Sequence, residues 1–170
     1  MPSENITRTI ASVSLADCTR SELIIPHLHS RDTAGILGEM SQLLHRHGCV
    51  PDALPFYQAA FNHALLSAVT TSTGIAFPHA RSTGVRRLQF ALGRTRKPVD
   101  WGGSRYCPVH LIFLIAVPAT DAVTYLKLLC QLAGLGRQPE FVEKLRDAAN
   151  REEIMAVLRE VRQPNGCSRL

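Results

Sequence analysis

Apolar positions recur along this chain in two periods, and the change between them divides it into elements. Glu22 to His27 is apolar with β-branched residues and predicts a short strand, which Pro26 marks as an edge or an end. Asp32 then offers an N-cap oxygen, and Ile36, Leu37, Met40, Leu43 and Leu44 follow at helical spacing. Gly48 stops that helix, with Arg46 and His47 in its last turn, where cations suit the dipole. Asp52 caps a second helix running to about Ser67, with Leu54, Tyr57, Phe61, Leu65 and Leu66 as its apolar face. A Thr/Ser/Gly loop over 70–74 leads into a strand at Ile75–Phe77. Val85, Leu88, Phe90 and Leu92 alternate, predicting a strand over Arg86–Gly93, and 95–106, with Pro98 and three Gly or Ser residues, reads as a loop.

Val109 to Val117 is apolar except for His110, the pattern of a strand covered on both faces. Beyond Pro118, Thr120 or Asp121 caps a helix that turns Val123, Leu126, Leu129, Cys130, Leu132 and Ala133 inward and ends at Gly134 and Gly136. Pro139 opens a helix to about residue 148, and Asn150 with Glu153 makes a capping box for the last one, which carries Ile154, Val157 and Leu158. The order is two helices, a β-rich middle and further helices. It predicts one α/β domain over 15–162, its mostly buried sheet lying between helix layers. A loose leader at 1–14 and a frayed tail at 163–170 flank it.

A length of 170 residues suits one core, and 45% hydrophobic with 19% charged residues is ordinary for a soluble protein. No secretory signal is read in the first residues, and the apolar run Leu111–Pro118 is far below the ~20 residues of a membrane span. A cytoplasmic protein is expected. Five scattered cysteines without a Cys-x-x-Cys pair suit a reducing compartment. The net charge of +5 is spread without interleaved aromatics, which points away from nucleic acid and toward an acidic or phosphorylated protein partner.

Chemistry concentrates at 71–81. Pro78 fixes the chain just before His79, so its imidazole leaves the end of the strand at a set angle. Neutral imidazole is a competent nucleophile near pH 7. Thr71, Ser72, Thr73 and the amides around Gly74 are candidates to bind phosphoryl oxygens, and Arg81 to neutralise their charge. Phosphoryl transfer needs positioning and charge stabilisation above all, which such a loop supplies without a metal. The pairs His27/His29 and His45/His47 lack the company of a metal site, and no nucleotide-binding or serine-hydrolase motif occurs, so no cofactor is expected.

The stretch Gly74-Ile75-Ala76-Phe77-Pro78-His79-Ala80-Arg81 resembles the phosphohistidine segment of enzyme IIA domains of the phosphoenolpyruvate-dependent sugar phosphotransferase system. The branch is the fructose/mannitol type, which includes the nitrogen-regulatory enzyme IIA. The likeness continues through Lys97-Pro98-Val99-Asp100-Trp101-Gly102, the Val109–Pro118 strand and Tyr125–Leu129, and ends at Phe141–Leu158. It implies a mixed sheet sandwiched by helices. It also implies that His79 accepts a phosphoryl group from the histidine phosphocarrier protein, then passes it to a IIB domain or keeps it as a regulatory mark. Three positions depart from the family's pattern. The glycine-rich loop is Ala68 to Gly74 here, His63-Ala64 stands where an Arg-Glu pair is usual, and Tyr125 stands where a second histidine often faces the first. His63 and Tyr125 thereby join the phosphate-supporting candidates. The same departures keep open an alternative, a divergent regulatory binding module of the same fold that carries no phosphate.

Overall fold

Pro78 interrupts an edge strand, and that interruption shapes the molecule around His79. The computed structural model describes residues 13–66, 70–101 and 106–161. Strands β1 (Ile24–Ile25), β2 (Ile75–Ala76), β3 (His79–Ser82), β4 (Gln89–Asp100) and β5 (Pro108–Pro118) form one sheet. β1 runs parallel to β4, and β4 antiparallel to β5. Both β2 and β3 lie parallel to β5, pairing Ile75 with Leu111 and His79 with Ile115. They are two halves of one edge strand, split at Phe77–Pro78, where a residue without an N–H is tolerated. The Pro78 carbonyl still accepts from the Ile115 amide at 2.9 Å, so the register carries through.

Helices cover both faces. Helices α1 (Thr33–Arg46) and α2 (Ala53–Leu66) pack Ile36, Leu37, Met40, Leu44, Phe56 and Ala60 on the face that carries Ala76, Ala80, Ile112 and Leu114. Helices α3 (Ala122–Leu135), α4 (Pro139–Asp147) and α5 (Arg151–Glu160) cover the other, against Phe77, Phe90, Phe113, Ile115 and Val117. Every second residue of β5 joins the opposite layer, so the strand is buried on both sides as its composition predicts. The mixed sheet between helix layers is the expected α/β class.

Helix caps follow the sequence signals. Asp32 accepts from the Gly35 amide at 2.7 Å, Asp121 from Thr124 at 3.0 Å and Asn150 from Glu153 at 2.9 Å. Glu153 reaches back to the Ala149 amide at 2.8 Å. At Gly93 a Cβ would stand 2.7 Å from Leu28 Cδ1 and 3.1 Å from Met40 Sδ, so the bare glycine lets α1 settle onto β4.

Four expectations need correction. β4 starts at Gln89 and continues through residues 95–100, which the sequence suggested were loop. A bulge between Arg94 and Val99 absorbs Pro98, after which Val99 pairs Val109 and Asp100 pairs Pro108. β1 is only two residues long, because a 3-10 turn, Ser21–Leu23, occupies its expected start. In α2 the buried stripe is Ala53, Phe56, Ala60 and Ala64, whereas Leu54, Leu65 and Leu66 are exposed. Both stripes are apolar, so periodicity did not choose between them, and the alanine stripe permits the closer approach to β3. In α3 the inward side chains are Tyr125, Leu128 and Leu132 with Gln131, while Val123, Leu126 and Ala133 face outward. The leader to residue 12, Ser67, Gly102 to Ser104 and the tail lie outside the described residues.

Candidate functional site

The two helix layers meet at the outer edge of the sheet, and His79 stands at that meeting point. It is the first residue of β3 and is half-buried. From one layer, α2 brings the His63 ring to 3.8 Å, centroid to centroid, tilted by 50°. From the other, α3 brings Tyr125 to 5.0 Å, tilted by 51°. Arg81, two residues along β3 and on the same side as His79, lays its guanidinium carbon 5.6 Å from the centre of the Tyr125 ring. The order of contact is His63, His79, Tyr125, Arg81.

The His79 ring is tethered. Its Nδ1 lies 3.3 Å from the Phe77 carbonyl oxygen. A carbonyl only accepts, so Nδ1 carries the proton and donates it. The lone pair is then on Nε2, the nitrogen remote from the backbone. Burial pushes the His79 pKa below the usual histidine value; His63 and Arg81 push it the same way, while the Phe77 carbonyl opposes them. The ring is therefore neutral at pH 7, with one nitrogen free to attack. Burial also pushes the Tyr125 hydroxyl up to about 12, against the pull of Arg81, so Tyr125 remains a neutral hydrogen-bond donor.

The hydroxyl-rich segment lies elsewhere. The His110 and Leu111 amides donate to the Gly74 carbonyl, at 2.8 and 3.2 Å, whereas His79 pairs with Ile115. Four to five strand residues separate the two places, or about 15 Å. Thr71 Oγ1 accepts from the Ile75 amide at 3.2 Å and lies 2.9 Å from Thr73 Oγ1, which donates to the Gly136 carbonyl at 2.8 Å. Gly74 closes this turn with φ of 83°. Ser72 faces a cleft of about 290 Å³ shared with His110 and Arg146. Residues 71–74 thus build a tight turn at the far end of β5 and do not surround His79. Of the candidates, His63, Tyr125 and Arg81 are the ones brought to it. Among the described residues there is no group of three His, Cys, Asp or Glu that could hold a metal.

The Phe77 carbonyl is the functional group that reading the sequence missed. Its signal was present in Pro78, which turns the backbone between the carbonyl and the ring it holds.

Residues 18–161 match the family described as phosphoenolpyruvate-dependent sugar phosphotransferase system, EIIA 2. The chain belongs to this family. The fructose-specific EIIABC component of Bacillus subtilis is 27% identical over 143 residues, covering 81% of this chain and 22% of that protein, so the chain spans about a fifth of its length. Among solved structures, the nitrogen regulatory protein IIA-Ntr of Neisseria meningitidis superposes with a TM-score of 0.77 at 27% identity, covering 84% of this chain and 97% of the other. The mannitol enzyme IIA of Escherichia coli, solved in complex with phosphorylated enzyme IIB, has a TM-score of 0.70 at 15% identity over 82% and 97% of the two chains, a likeness of fold. The family is the one the sequence resembles, and its solved relative shares the expected fold.

Proposed function

We propose that this enzyme IIA is a phosphoryl carrier whose acceptor is Nε2 of His79. The observation that carries the reading is the tether, since Nδ1–H held on the Phe77 carbonyl aims a neutral Nε2 away from the backbone. The donor is the histidine phosphocarrier protein. Its phosphorus–nitrogen bond breaks as the bond to Nε2 forms; the donor's ring, protonated on its other nitrogen, departs with the electron pair as neutral imidazole, and the positive charge passes to the His79 ring. His79 keeps its Nδ1 proton throughout, so the step requires no base. Tyr125, packed on the His79 ring, and Arg81, packed on Tyr125, are the donors that meet the phosphoryl oxygens as charge develops on them in this reading. The group then passes to a IIB-type domain or stays as a mark read by a regulated protein, with the protein acting in the cytoplasm.

The surroundings favour a protein donor. Leu65 and Leu66 flank His63 at 67% and 89% exposure, and Val123 and Leu126 flank Tyr125 at 64% and 56%. Large exposed aliphatics on both sides of a reactive ring suit docking by another protein. The alternative, a module of this fold that carries no phosphate, gains nothing from a neutral, tethered and partly exposed ring. Incubation with phosphoenolpyruvate, enzyme I and the carrier protein is expected to place acid-labile phosphate on the wild type and none on His79→Ala. An unlabelled wild type beside a labelled control enzyme IIA would end the proposal.

A further inference from the structure

His63 has an unusual position for a helix-surface histidine. Its ring lies 3.8 Å from that of His79, and its Nδ1 is buried without a hydrogen-bond partner. A buried polar atom left unpaired calls for an explanation, and a ligand that binds there intermittently is one. His63 also sits in the last turn of α2, where backbone carbonyls favour positive charge. We propose that His63 is a proton-linked positioning residue: it takes up a proton when His79 receives a phosphoryl group and releases it when the group leaves. The inference rests on His79 being the acceptor.

The charges around His63 differ between the two stages. From β3 it meets His79 and, beyond it, Arg81; from α3, Tyr125 stands on the far side of His79. Along α1, Glu39 is held by the His29 and Ser30 amides and the His29 ring. His45 lies 3.3 Å from the Val50 carbonyl and Arg46 ends α1, both at the end that leads into the start of α2, away from His63. In the unphosphorylated protein, a cationic His63 would face a second imidazole with Arg81 beyond it, while the Glu39 carboxylate is taken up by His29 and Ser30. A phosphoryl group on Nε2 puts two negative charges on its oxygens beside the His63 ring and one positive charge on the His79 ring that keeps its Nδ1 proton, a net gain of one negative charge. A proton from solvent then moves onto His63, and N–H donation to a phosphoryl oxygen supplies the partner that its Nδ1 lacks. Besides the exchange of phosphorus–nitrogen bonds, the one bond formed is the N–H on His63, made with a proton from solvent and broken when the group leaves. The consequence follows from linkage: if phosphorylation takes up a proton, its equilibrium weakens as pH rises, by up to about ten-fold per pH unit. A permanent cation at this position would show no such dependence.

The test uses the full chain phosphorylated with potassium phosphoramidate, with ³¹P and histidine-ring NMR before and after. At pH 7.5 the phosphorus signal is expected on Nε2 of His79, and the His63 ring resonances are expected to move to those of an imidazolium. A pH-stat should record roughly 0.5 to 1 more proton taken up per phosphoryl group than in His63→Arg. In His63→Gln the extra uptake should also vanish. Phosphate on His79 with a His63 ring that stays neutral, or equal uptake in wild type and His63→Arg, overturns the inference and leaves the acceptor reading intact. Phosphate absent from His79, with or without phosphate on another residue, overturns both.

Discussion

One carbonyl decides which nitrogen of His79 is available. Because Phe77 holds Nδ1–H, the ring cannot change tautomer without losing its tether. Two predictions follow at this scale. Burial, His63 and Arg81 all disfavour a second proton on His79, so the nucleophile stays intact below the pH at which an ordinary histidine charges. The initial rate of labelling should be level from pH 8 down to about 6.5 and fall only below that, once the ring protonates. A rate that already halves on going from pH 7.5 to 6.5 would show a ring with an ordinary or raised titration point. Tyr125 lends itself to a finer cut. Tyr125→Phe keeps the ring that packs on His79 and removes the donor, so labelling should slow by about ten- to a hundred-fold with the fold unchanged. Equal rates would assign Tyr125 to packing alone.

At the scale of elements, Arg94 shows what the sequence conceals. It lies in β4 at 7% exposure, and among the described residues no carboxylate forms an ion pair with it. Its Nη1 donates to the carbonyls of Leu145, Arg146 and Ala148 at 3.0, 2.7 and 2.7 Å, and its Nε to Pro26 at 2.9 Å. The cation thus closes the C-terminal end of α4, where the helix dipole is negative, and ties it to the sheet. Arg94→Met should cost about 2–4 kcal/mol by leaving those carbonyls unpaired, lowering Tm by roughly 5–15 °C in a thermal melt. Arg94→Lys should recover only part, because an ammonium cannot reproduce the fork. Nothing in Gly93-Arg94-Thr95 signalled this, since the partners are some fifty residues away. What the sequence made legible was local: the caps Asp32, Asp121 and Asn150, the doubly buried β5, and His79 behind its proline. What it hid depends on contacts distant in the chain. The inward stripe of α2 was settled by how closely alanines let it approach β3, and the strand at 95–100 by a bulge whose partner is β5. Thr71–Thr73 read as phosphate ligands because they precede His79 in the chain, yet an extended strand carries that end of the segment away from the ring.

At the scale of the whole molecule, the site exists because the sheet ends where it does. His63 belongs to one helix layer and Tyr125 to the other, and only at an edge strand can both reach one residue. The same edge leaves the outer flanks of α2 and α3 side by side with the reactive ring, with Leu66 and Leu126 uncovered. If that face receives the protein donor, charge placed on it should act on docking and leave the ring's own reactivity untouched. Leu66→Asp and Leu126→Asp together should lower kcat/KM for labelling by the carrier protein about ten-fold or more, the size of losing two apolar interface contacts. Labelling by potassium phosphoramidate, which needs no docking surface, should not change. Neither side chain supports the core, so Tm should move by no more than the few degrees typical of surface substitutions. Equal loss with both phosphoryl sources would show that these residues shape the His79 site itself, and no loss with either would move the docking face to another part of the surface.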